Sequence, residues 1–174
     1  MTDITDCYFT ALTAPTAFFA IRLGTDVWDE ADAADQTKAL QMATYKIDSL
    51  DYQGYKLLST QARQFPRKYV PTDSINPWGN LMSEDPYGYI YDSSTPPQFV
   101  LDACCLEALA LLKYHSSTDP VSEQDLIDKG VSSFSLGKLS MSFKGKSSAA
   151  AFGLRSQEAY DLLSPYLQRR GDFR

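Results

Sequence analysis

The sequence predicts a mainly α fold: a helical bundle of about four helices, with a β-hairpin and a long irregular loop. Three observations carry the prediction. Leu40, Ala43, Ile47 and Leu50 recur at i, i+3, i+7 and i+10, the spacing of one helix face. From Phe99 to Leu112 the only charged residues are Asp102 and Glu107, so this stretch reads as a helix buried on more than one side. Around Gly137-Lys138, Phe134 and Leu136, then Leu139, Met141 and Phe143, alternate with serines, the pattern of a two-residue hairpin.

A chain of 174 residues is expected to form one domain. Its helical core is placed at about 13–50 and 95–167, the loop insert at about 51–94, the hairpin at about 131–143 and a C-terminal tail at about 168–174. The first helix runs from about Ala14 to Leu23, with Thr13 as cap, Pro15 in the first turn and Gly24 as the stop. Phe18, Ile21 and Ala17 form its expected apolar face. The second, from about Ala33 to Leu50, starts at Asp32 or Asp35 and carries the one-sided stripe.

Between Asp51 and Ser94 stand Pro66, Pro71, Pro77 and Pro86, through which no regular helix can run. The same stretch holds Tyr52, Tyr55, Phe65, Tyr69, Trp78, Tyr87, Tyr89 and Tyr91, too aromatic for a disordered linker. It reads as a surface meant to pack on something. The third helix opens on Thr95-Pro96-Pro97-Gln98, with Thr95 as cap, Pro96 at the first helical position and Gln98 completing a capping box. In the hairpin, Leu136 faces Leu139 and Phe134 faces Met141. One face is then apolar and must cover a surface, because a lone hairpin is marginal in water. Lys144–Ala151 is a small-residue hinge. The last helix spans about Arg155 to Leu167 with Tyr160, Leu163 and Leu167 inward, and Pro165 should break it near Leu163.

No apolar run approaches the ~20 residues of a membrane span, and the acidic N-terminus, Met1-Thr2-Asp3-Ile4-Thr5-Asp6, does not resemble a secretory signal. Synthesis in a cytoplasm, with no membrane partner, is expected. The net charge of −6 argues against a broad grip on duplex nucleic acid. Basic residues cluster only at Arg63–Lys68 and Arg169–Arg174.

No catalytic or metal-binding constellation is visible, so no enzyme activity, metal or cofactor is expected. His115 is the only histidine and lies at a helix end without a local acid or oxyanion hole. Cys104 and Cys105 are neighbours that cannot pair, no Cys-x-x-Cys exists, and buried structural thiols are the expectation. Gly130 and Gly137 are turn glycines. Asp26, Asp29, Glu30, Asp32 and Asp35 lack the spacing and glycine of a calcium loop and read as a solvated helix entrance. The aromatic loop also admits a second reading, a stacking platform for single-stranded nucleic acid. Arg63, Arg67 and Lys68 border it on one side only, while Glu84 and Asp85 sit among the later aromatics.

The order of parts carries a resemblance that covers about Thr13 to Leu167. Ala17-Phe18-Phe19 leads to Trp28, then Lys38-Ala39-Leu40-x-x-Ala43-Thr44, Tyr52-x-Gly54 and Gln64-Phe65-Pro66-Arg67. The helix Pro97-Gln98-x-Val100-x-x-Ala103-Cys104-x-x-Glu107-x-Leu109 follows, then the hairpin Leu136–Phe143, then Leu162-Leu163-x-Pro165-Tyr166-Leu167. This resembles the head–tail connector, or adaptor, proteins of tailed bacteriophages; some sequences of this sort are grouped instead with primosome-type single-stranded-DNA-binding proteins. The adaptor resemblance implies a structural virion protein of the neck, a homo-oligomeric ring, commonly dodecameric, beneath the portal protein. The ring would seat a stopper or tail-completion protein and let genomic DNA pass through its channel without specific binding. It further implies that Arg169, Arg170, Phe173 and Arg174 form a portal-contacting tail. The hairpin residues Phe134, Leu136, Leu139, Met141 and Phe143 become the expected subunit interface. The alternative is a single-stranded nucleic-acid-binding accessory protein.

Overall fold

The computed structural model describes residues 6–68, 95–116, 133–136, 139–142 and 148–168. Among them the chain is mainly helical. The helices are α1 (Thr13–Ala20), α2 (Asp26–Glu30), α3 (Ala33–Asp48), α4 (Gln98–Ser116), α5 (Ser148–Ala151) and α6 (Gln157–Leu163). A 3-10 turn, Ser164–Tyr166, follows α6.

The centre of the fold is α4. Val100, Ala103, Cys104, Cys105, Ala108, Leu109, Leu111 and Leu112 are all buried along it. Its most extensive neighbours are α3 and then α6, with α2 and α1 adding smaller contacts. The helix is thus buried on more than one side, and its own chain covers it. The stripe of α3 does this on one side, with Leu40, Ala43 and Ile47 wholly buried. Asp32 caps α3 by accepting the Asp35 backbone N–H at 2.7 Å. On the other side Ala159 and Leu163 of α6 are inward. Pro165 ends that helix at Leu163, as a missing N–H and a ring clash require.

Three expectations shift. In α1 the inward residues are Pro15 and Phe19, while Ile21 is exposed. The reason is α2, unforeseen in the sequence, which returns the buried Trp28 ring to within 4.5 Å of Phe19. The α4 helix starts later than a Thr95 cap implies. The Pro97 carbonyl accepts the first helical N–H groups, from Val100 and Leu101, and the Gln98 amide turns forward to Asp102 at 2.8 Å. Part of the supposed hinge is helical, as α5, with Ala149 buried.

Two small antiparallel pairs complete the described chain. Strand β1 (Tyr55–Lys56) pairs with β2 (Arg67–Lys68), Tyr55 opposite Lys68. Strand β3 (Ser133–Leu136) pairs with β4 (Leu139–Ser142), with Phe134 opposite Met141 and Leu136 opposite Leu139. The positions of the side chains of Phe134, Leu136, Leu139 and Met141 lie outside what is described, as do Phe143 and the tail residues Arg169, Arg170, Phe173 and Arg174. No described helix is long and apolar enough to cross a membrane.

Candidate nucleic-acid interface

The described part of the irregular loop, 51–68, is an ordered structure built around one arginine. Arg67 is buried, and its guanidinium donates to backbone carbonyls on the opposing segment: Nε to Gln53 (3.0 Å), Nη2 to Tyr52 (3.0 Å) and Gly54 (2.6 Å). Nη1 donates to the Gln64 side-chain oxygen at 2.6 Å. Only a planar fork of five donors can satisfy so many acceptors at once. Burial lowers its pKa from the ordinary value. Arg67 is thus a scaffold residue in the interior, not a surface cation bordering the aromatics.

The aromatic residues of this segment divide in two. Phe65 is buried among rings, 4.8 Å from Tyr52, 6.5 Å from Tyr8 and 5.9 Å from Phe99, and Phe99 stacks on Tyr166 at 4.1 Å. Tyr52 is buried and donates its hydroxyl to the Ile47 carbonyl at 3.0 Å. Its pKa is raised, first by burial and then by the charge of Asp48. These rings are core. Tyr55, in contrast, is 75% exposed on β1, next to Lys56 and opposite Lys68. Leu58 is exposed beyond it.

A second exposed ring stands on the outer face of α3. Tyr45 is 58% exposed, and the Arg63 guanidinium lies 5.4 Å from its ring centroid. Arg63 also meets Asp48 at 3.4 Å and Asp6 at 3.5 Å. Asp48 is the junction of this corner: it accepts the Gln64 backbone N–H at 3.0 Å and the Tyr8 hydroxyl as well. The half-buried Tyr8 phenol is pushed up by desolvation and by Asp48. The loop and α3 therefore present two exposed rings beside two cations, Arg63 held by carboxylates and Lys56 donating to the Gln61 carbonyl at 3.4 Å. Tyr69, Trp78, Tyr87, Tyr89 and Tyr91, with Glu84 and Asp85, lie outside the described residues.

Two buried polar centres were not foreseen. Glu107, fully buried in α4, accepts from Lys46 Nζ at 2.7 Å and from the backbone N–H groups of Arg155 and Ser156, each at 2.9 Å. It locks α3 and α4 to the start of α6, where a negative charge also complements the helix dipole. Its sequence signal was one of only two acids in an otherwise apolar stretch, where burial without a partner would be forbidden. The second centre is Thr44, whose hydroxyl donates to Cys7 Sγ at 3.4 Å and lies 3.4 Å from Cys104 Sγ. The Cys104 thiol, buried, holds its proton, and its hydrogen bond to Cys7, ahead of those from Thr44 and the backbone, pulls the half-buried Cys7 down to about 6.

The described residues contain no group of acids, histidines and cysteines able to hold a metal ion. His115 is exposed at the end of α4.

The profile of one protein family matches residues 5–174; the family is described as "Putative DnaT-like ssDNA binding protein". No curated protein and no solved structure matches the chain. The family match overturns the head–tail connector resemblance, and with it the neck, portal and virion assignments. The features that had asked for a neighbouring subunit have another explanation where they are described: α4 is covered within its own chain, and the rings of the 51–68 segment are mostly core.

Proposed function

This chain belongs to the DnaT-like family, and on that premise we propose that it is an accessory protein that binds single-stranded DNA, a binding module rather than a catalyst. The observation that carries the reading, beside the family match, is the exposure of Tyr55 and Tyr45 on a loop and helix face bearing Lys56 and Arg63. Every base has a π-face, so exposed rings flanked by cations hold a single strand with little sequence preference. The duplex hides those faces. The charge balance supports the same distinction, because a chain of net charge −6 has no broad basic footprint for a double helix.

The stacking and ionic contributions separate experimentally. Fluorescence anisotropy of labelled oligodeoxythymidylate at low ionic strength should show binding, and Tyr55→Ala should weaken it by about 1–3 kcal/mol. With only one or two cations on the strand, this platform should contribute between about −0.7 and −1.4 to the log–log salt slope. A duplex of the same length that competes equally well would sink the proposal.

A further inference from the structure

We propose a second single-strand contact at the C-terminal end of α4, where Tyr114, Arg155 and Phe152 form a platform that stacks nucleobases. The inference rests on the single-strand reading above and extends it to a region that reading does not use. Tyr114 is 43% exposed, beside exposed Lys113, and the Arg155 guanidinium lies over its ring at 3.5 Å from the centroid. Phe152 is also exposed, with its ring 5.2 Å from that of Tyr160.

The arrangement is built rather than incidental. Glu107 takes the Arg155 backbone N–H, which fixes the chain at the point where the side chain leaves for Tyr114. Gly153, at φ +79°, makes the left-handed turn between Phe152 and Arg155, a conformation glycine adopts without a Cβ penalty. A guanidinium plane on a ring, beside a lysine and three residues along the chain from a further exposed ring, combines π-faces with positive charge, as a single-strand platform requires.

The test uses the full chain and oligodeoxythymidylate of about 16 nucleotides. Tyr114→Leu and Phe152→Leu should each weaken binding about five-fold or more, and Tyr114→Phe should bind like the wild type. Photo-crosslinking with 5-iododeoxyuridine in the strand should give adducts at Tyr114 or Phe152 as well as at Tyr55. Unchanged affinity in Tyr114→Leu, or adducts confined to Tyr45 and Tyr55, overturns the second site while leaving the first platform standing. Equal loss in Tyr114→Phe overturns stacking as its basis. A wild-type chain that binds no single strand overturns both readings together.

Discussion

Replacing Glu107 by alanine removes a side chain that ties α3, α4 and the start of α6 together. Two backbone N–H groups, those of Arg155 and Ser156, lose the carboxylate at 2.9 Å. Each orphaned buried donor costs about 1–3 kcal/mol. Lys46 adds less, because its side chain is 28% exposed and the ammonium can turn to water. The sum, about 2–6 kcal/mol, brackets the ~3–5 kcal/mol cost of removing one partner from a buried pair. Glu107→Gln keeps the volume and one acceptor but sets an NH2 against the backbone donors, so about 2–3 kcal/mol is expected. Lys46→Met leaves the carboxylate its two backbone donors and should cost least of the three. Urea unfolding measures the order, read from midpoints at constant slope, and thermal midpoints should fall by about 2–4 °C per kcal/mol. A loss below about 1 kcal/mol for Glu107→Ala would refute the role assigned to this carboxylate.

Three further outcomes follow from the same geometry. Arg67→Lys cannot reproduce the fork to Gln53, Tyr52, Gly54 and Gln64 and should destabilise the chain by about 2–4 kcal/mol in urea unfolding. Asp6→Asn releases Arg63 from one carboxylate while asparagine still tolerates the left-handed backbone at φ 59°. It should tighten single-strand binding by up to about five-fold, the worth of an exposed ion pair; weaker binding would contradict the account of Arg63. Cys7 should alkylate with a midpoint near pH 6 while Cys104 and Cys105 stay protected until unfolding, because both of their thiols are raised. Since the Cys7 pKa is lowered on folding, its contribution to stability is complete above the ordinary thiol value of 9.0. That contribution fades as pH falls through about 6, so it rises with pH across that window. An alkylation midpoint near 9 would refute the hydrogen-bonded thiolate.

The regular periodicities of the sequence were legible because one chain satisfies them. The stripe Leu40, Ala43, Ile47 and Leu50 is buried as its spacing implies, and Pro165 stops α6 where its missing N–H requires. Binary pattern says nothing, however, about which of two candidate faces a short helix buries. In α1 that was decided by Trp28, a residue outside the helix. Charge was misread for a related reason. Arg67 sits in a basic run and Glu107 in an apolar one, yet both are interior, because their partners are backbone groups that composition cannot show. The same blindness affected the functional reading. An apolar α4 and an aromatic loop are what a subunit interface would present, and they are equally what a small core with α4 at its centre presents. The stacking alternative was visible in the aromatic content, but Tyr55 could be separated from Tyr52 and Phe65 only by their burial.

Binding to single-stranded DNA is measured most directly by anisotropy of a labelled oligodeoxythymidylate of about 16 nucleotides at low ionic strength, with unlabelled duplex as competitor. Saturable binding that the duplex fails to displace and that Tyr55→Ala weakens is the predicted result. No binding at low salt, or equal displacement by the duplex, would contradict the account.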